Sequence, residues 1–289
     1  MRRLLLVFAS TLAVGPAHAH PSEQDALRDL DARLAATPEA SDLQLERAEH
    51  LLELRRGAEA LAAVAASGAA TARAEVLRAR ALVLMGAGDA ARAALDRAVR
   101  RAPKDLQARW HRAALAEGAG ERARAVADLE VIIRDPRVAP DAYLWLARLL
   151  ADDPPRAQEV LQMGARRTGA AALSVALVEQ ALAGGELAVA QAEVERLVAA
   201  SRVPVQALLL RARVAEARGR AAAARADRAA ALAAAEVAVA ARGSAATLAW
   251  RAHAKAALGD RVGARTDAEA ALRRAPGLAL AKSALEVAR

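Results

Sequence analysis

From about residue 22 to its end the chain carries apolar residues at helical rather than alternating spacing. Alanine, leucine, arginine and glutamate dominate, all strong helix formers, and no segment reads as a convincing strand. Proline falls where helices should begin or end: Thr37-Pro38, Ala102-Pro103, Asp135-Pro136, Pro154-Pro155, Val203-Pro204 and Ala275-Pro276. The pattern predicts a leading helix from about Ser22 to Ala36, seven helix-turn-helix units, and a final helix from Leu278. The second helix of the sixth unit, Arg220 to Ala241, is the longest.

The units repeat. A small residue, usually preceded by arginine, sits mid-segment at Arg47-Ala48, Arg78-Ala79, Arg112-Ala113, Leu146-Ala147, Arg211-Ala212 and Arg251-Ala252. Turns are expected at Gly57, Gly88, Gly120, Gly185, Gly219 and Gly259, at intervals of 31, 32, 65 (two units), 34 and 40 residues. A period of this size means stacked hairpins, each packing only on its neighbours. No composition break divides residues 20–289, so one solenoid domain is expected.

These units resemble tetratricopeptide repeats. Tyr143, Leu146-Ala147 and Leu150 match the large and small positions of that family's first helix. Ala91/Leu95/Ala98, Ala157/Leu161/Gly164 and Ala60/Val64/Ser67 match those of the second. Gly259-Asp260, Ala264, Ala271 and Pro276 give the turn, second helix and closing proline. The resemblance covers roughly residues 39 to 276; arginine often replaces a large residue of the first helix, and the unit from Ala170 to Ala200 matches poorly. It implies an all-α solenoid of helical hairpins with a C-terminal capping helix. Small residues let the two helices of a hairpin touch while large ones fill the gaps.

In that family the first helices line a concave groove. Three residues before each small anchor stand Leu45, Val76, Trp110, Leu144, Leu209 and Ala249; one after it stand Glu49, Arg80, Ala114, Arg148, Arg213 and His253. Positions four apart share a helix face, so an apolar stripe is expected beside a mostly basic one. Arg80, Trp110, Leu144, Arg148, Leu209, Arg213 and His253 are therefore the candidate partner-binding residues. Trp110 and Leu144 would anchor apolar groups, with Arg80, Arg148 and Arg213 holding acidic ones. The arginines before the anchors (Arg47, Arg78, Arg112, Arg211, Arg251) read instead as structural, their stems across the neighbouring helix and their heads reaching water or an acid.

Residues 1–19 read as a cleavable signal peptide. Arg2 and Arg3 precede an apolar run from Leu4 to Val14, Gly15-Pro16 breaks it, and Ala17-His18-Ala19 offers a small-x-small cleavage site. The run is too short to span a bilayer, for which about 20 residues are needed. A periplasmic or secreted chain starting at His20, with no membrane span, is the expectation. The chain has no cysteine, so packing alone must hold the fold.

The net charge of +8 suggests nucleic acid at first sight. Acids interleave with the cations throughout, and three Trp and one Tyr leave few stacking platforms, so nucleic acid is not the expected partner. Gly86-Ala87-Gly88-Asp89-Ala90-Ala91 mimics a dinucleotide fingerprint, yet a similar Gly118-Ala119-Gly120 recurs 32 residues on, as hairpin turns would. An N-terminal His20 could chelate copper only with a second imidazole, and His50, His111 and His253 are not in ligand spacing. Asp152-Asp153 reads as a turn and helix cap.

No catalytic residue, cofactor or metal is expected, and the chain is not expected to be an enzyme. The resemblance implies a scaffold binding a protein or peptide, acidic with apolar anchors, in cell-envelope assembly, secretion or maturation. The alternative is a structural protein whose stacked repeats self-associate into homo-oligomers through exposed Leu278, Leu280, Leu285 and Val287 on the last helix.

Overall fold

The computed structural model describes residues 21–200 and 205–289. The expected signal peptide, His20 and the Val203-Pro204 break lie outside the described residues. Among them the chain forms sixteen helices and no strand. They are α1 (Pro21–Ala36), α2 (Ser41–Glu53), α3 (Gly57–Ala66), α4 (Ala72–Leu84), α5 (Gly88–Arg101), α6 (Leu106–Gly118), α7 (Arg122–Ile132) and α8 (Pro140–Leu149). There follow α9 (Pro154–Thr168), α10 (Ala171–Ala183), α11 (Leu187–Ala200), α12 (Val205–Ala217), α13 (Ala221–Arg242), α14 (Ala245–Ala257), α15 (Arg261–Arg274) and α16 (Ala279–Val287).

The chain forms two compact units, one ending at Ile132 and the other beginning at Ile133. In the first, α1 packs on α2, and α2–α3, α4–α5 and α6–α7 are antiparallel hairpins. In the second, α8–α9, α10–α11, α12–α13 and α14–α15 pair likewise, and α16 closes over α14 and α15. Within each unit the first helices of successive hairpins also touch one another (α2 with α4, α4 with α6; α8 with α10, α10 with α12, α12 with α14). The second helices of successive hairpins do not, among the described residues. First helices thus form one face of each unit and second helices the other.

The anchors are where close approach demands them. Ala48, Ala79, Ala113, Ala147, Ala212 and Ala252 are all buried. Each hairpin then fills its gap with larger residues. In the first, Leu45, Leu51 and Leu52 of α2 meet Val64 of α3 and Leu77 of α4 in one layer. In the fourth, buried Tyr143 lies flat against Gly164, where an added Cβ would come 2.6 Å from the Tyr143 Cγ. Its hydroxyl donates to the Ile133 carbonyl at 3.2 Å, and the Arg167 Nη1 donates to the same oxygen at 2.8 Å.

The turns differ from expectation in two hairpins. The left-handed residue falls seven positions after the anchor: Gly120 (φ 77°), Gly219 (72°) and Gly259 (89°), but also Gly86 (75°) and Arg55 (59°). Gly57 and Gly88 are not the turn residues; they open α3 and α5. Gly57 is small for another reason, since a Cβ there would sit 3.0 Å from the Leu84 Cβ and 3.1 Å from the Ala81 carbonyl. The same offset from Gly185 (φ 76°) fixes the register of the fifth hairpin, with buried Val178 at the anchor position.

Helix starts follow local chemistry. Asp105 accepts from the Gln107 and Ala108 amides at 2.9 and 3.1 Å, Thr71 from Ala74 at 3.2 Å, and Asp260 from Gly263 at 2.9 Å. Asp153 caps α9 through the Arg156 amide, as expected, and Gly86–Gly88 is a hairpin turn rather than a nucleotide loop. Gly169 and Gly243 end α9 and α13 in the left-handed conformation.

Candidate functional site

The first-helix face is the candidate, and the two units present it separately. In the first unit, the apolar residues expected to line it divide. Leu45 and Val76 are core residues, at 3% and 7% exposure, whereas Trp110 is half-buried. In the second, Ala249 is buried, and Leu144 and Leu209 are half-buried with part of each side chain on the surface. The continuous apolar stripe is therefore reduced to Trp110 in one unit and Leu144 with Leu209 in the other.

The basic residues are largely compensated. Arg80 of α4 donates to Glu53 of α2 at 2.8 Å, and Arg73 of α4 to Glu49 of α2 at 3.0 Å. Arg213 of α12 makes a two-pronged contact with Glu179 of α10, one prong at 2.8 Å. Arg148 is exposed. His253 bonds the Leu280 carbonyl through Nε2 at 3.2 Å and lies 5.8 Å, ring to ring, from Trp250. Burial pushes the His253 pKa below the ordinary imidazole value, against the raising effect of the Leu280 carbonyl, so it is neutral at pH 7. Burial likewise lowers His111, with the Arg80 charge adding to it. The face expected to be mostly basic is thus a set of ion pairs with Arg148 exposed among them.

The anchor-preceding arginines do what their stems suggested, and the acids they meet were not foreseen. Arg112 forks onto Asp128 with Nε and Nη2, both at 2.7 Å, and Arg109 donates to the same carboxylate at 2.8 Å. Arg211 grips Asp227 at 2.6 and 3.1 Å, and Arg251 grips Asp267 at 2.6 and 2.7 Å. Each acid lies sixteen residues after its arginine, on the second helix of the same hairpin. Several arginines also reach sixteen residues back: Arg47 to Asp31 at 2.6 Å, Arg112 to Asp96 at 3.1 Å and Arg211 to Glu195 at 3.1 Å. Arg78 departs from the rule and pairs with Glu75 on its own helix, where Arg97 also forks onto that carboxylate.

Asp128, Asp227, Asp267 and Glu75 are buried carboxylates, and every one is paired with guanidinium, Asp267 with the Lys255 ammonium as well. They are structural by geometry. Among the described residues no group of three or more His, Cys, Asp or Glu could hold a metal ion. None of the described helices is long and apolar enough to cross a membrane.

No protein-family model matches the chain, and no curated protein does. Solved structures do. A tetratricopeptide-repeat protein from Cytophaga hutchinsonii, in its C-terminal part, is similar over 83% of this chain and 99% of its own, at 15% identity and a TM-score of 0.56. One from Parabacteroides merdae covers 86% of this chain and 98% of its own, at 14% identity and a TM-score of 0.51. Yeast Tom70 is similar over 92% of this chain and 58% of its own length, at 15% identity and a TM-score of 0.55. With its anchored hairpins and these likenesses, the chain has the fold of tetratricopeptide-repeat proteins.

Proposed function

We propose that the chain is a non-enzymatic scaffold, exported to the cell envelope, that holds a protein or peptide segment against the first-helix face of its second unit. The carrying observation is the placement of Leu144 and Leu209. Each leaves apolar surface uncovered, Leu209 on a helix whose other large apolar residues are buried and Leu144 beside half-buried Trp145, and Arg148 and Arg213 follow each one turn later. A half-exposed leucine beside an arginine suits a segment that alternates apolar and acidic groups. Such a segment would exchange one of its carboxylates for Glu179 on Arg213, which makes binding salt-sensitive. Trp110 in the first unit offers a second apolar contact of the same kind.

The test places a photo-crosslinking residue at Leu209 and, as control, at exposed Ala229 on α13. One dominant adduct from position 209, lost in Arg148→Glu/Arg213→Glu, is the expected result. Equal adducts from both positions would show that the face is an ordinary solvated wall. Export is read independently by intact mass of the native protein. It should begin at His20, and a retained Met1 would remove the envelope from the proposal.

A further inference from the structure

We propose that the chain also binds a second copy of itself head to tail, the acidic surface of α1–α2 on one copy against the basic surface of α15–α16 on the next. The formal charge is strongly polarised along the sequence. Residues 21–66 carry ten acids against five cations, whereas residues 205–289 carry fifteen cations against seven acids.

What each end leaves uncompensated is more telling than the count. In the C-terminal hairpins the acids are mostly used internally: Asp227 and Asp267 by the arginine clamps, Asp260 as a helix cap, Glu216 and Glu269 in pairs with Arg228 and Arg265. Arg261, Arg273, Arg274, Lys282 and Arg289 are exposed and form no ion pair among the described residues. Glu286 is the exposed acid that remains on α16.

At the other end Glu39 and Asp42 are exposed and unpaired among the described residues. Asp25 and Asp29 meet only Arg28 and Arg33 of their own helix, in pairs open to water on both sides. Such exposed pairs are easily exchanged for others.

The ends are also where the packing stops. At the first of these ends α1 packs on α2 alone and leaves a face carrying Gln24, Asp25, Arg28 and Asp29 uncovered. Apolar stacking is not the force, because Leu278, Leu280 and Leu285 turn out half-buried against the last hairpin and only Val287 stays exposed. Opposite charge is what the two ends share. Because the surfaces differ, the contact is heterologous and builds rings or open chains rather than a closed two-fold dimer.

Sedimentation velocity of the purified full chain tests this. At low ionic strength the average mass should rise with protein concentration, and at about 0.5 M salt, where screening is short-ranged, it should return to that of one chain. Two variants carry the decisive experiment. Asp25→Lys/Asp29→Lys/Asp42→Lys removes the acidic excess of the first end and leaves the other basic, and Arg261→Glu/Arg273→Glu/Lys282→Glu cancels most of the basic excess of the last end and leaves the first acidic. Each alone should stay monomeric at low salt, and mixing them should restore association, since each then offers what the other lacks. Neutral Asn and Gln versions at the same positions, which keep the fold if a reversal does not, should each weaken association alone, and mixing them should restore one contact and stop at a pair. A wild-type chain monomeric at low salt would overturn the proposal, as would reversed variants that associate unaided or a mixture that does not. None of these positions contributes to the face proposed for partner binding, so the two readings fail separately.

Discussion

Replacing Asp128 by Asn is the sharpest probe of what holds the third hairpin. The change keeps the shape and removes the charge that three guanidinium contacts share. Location sets the magnitude. The Asp128 side chain is 1% exposed and those of Arg109 and Arg112 are 14% and 18% exposed, so the interior rule applies rather than the surface one. Breaking one side of a buried ion pair costs about 3–5 kcal/mol, chiefly because the surviving charge is left without a partner. Arg112 retains Asp96 at 3.1 Å, which places the expected loss near the lower end, about 3 kcal/mol. The contrast is Arg265→Ala: its pair with Glu269 is 68% and 45% exposed, and the expected change is within about 0.5 kcal/mol.

A second arm uses the protein's own alternative. In the fourth hairpin Leu146 and Val160 occupy the places of Arg112 and Asp128, and both are buried. Arg112→Leu/Asp128→Val should therefore recover most of the loss, because an apolar pair of similar volume incurs no desolvation cost. Urea unfolding followed by circular dichroism gives the stabilities, and hydrogen exchange of the α6 and α7 amides shows where the loss falls. An Asp128→Asn variant within about 1 kcal/mol of wild type would refute the reasoning, as would a double variant no better than the single.

Arg55→Gly should raise stability by about 1 kcal/mol, because a side chain at φ 59° meets the left-handed penalty that glycine at the equivalent turns avoids; the shift in urea midpoint measures it. Gly164→Ala should cost about 1–3 kcal/mol through collision with the Tyr143 ring, and Tyr143→Leu in the same chain should relieve part of it, read by thermal unfolding. Stability should be flat above pH 7 and fall in two stages on acidification. His111 and His253 have folded pKa values below the ordinary 6.5, so from there downward the unfolded state binds more protons and the fold loses ground. For Asp96, Asp267 and Glu75 burial acts upward, but their arginine partners, with Lys255 at Asp267, outweigh it and depress the folded pKa values. Their stabilisation is present above the ordinary values near 4 and is lost as pH falls through the folded ones. Urea titrations across this range check both stages, and His253→Gln should shrink the first.

Periodicity made the hairpins legible because it is the direct imprint of burial on one helix side. The anchors, the leading and closing helices and the long α13 all follow from it. The turns at Gly57 and Gly88 were misplaced because glycine serves two purposes, a left-handed turn and a close approach, and sequence does not say which. The acids sixteen residues from the arginines went unread for a similar reason. A charged residue among helix formers looks like solvated surface until its burial is known, although the spacing itself is visible at Arg112/Asp128, Arg211/Asp227 and Arg251/Asp267. The candidate face was the least legible: Leu45, Val76 and Ala249 share a helix position with Leu144 and Leu209, and only neighbouring helices decide which of them stays open.

The arginines that reach acids on two successive second helices change how this stack should come apart. In a one-dimensional array the boundary between folded and melted hairpins costs whatever couples neighbours. Arg112 and Arg211 put part of a hairpin's own cohesion into that coupling, so melting one hairpin strips a ligand from the next. The fourth and fifth hairpins have Leu146 and Leu177 at those positions and lack this link. A fault line belongs there: within the second unit, tension or denaturant should part the fourth and fifth hairpins before it separates the fifth from the sixth, which Arg211 ties together.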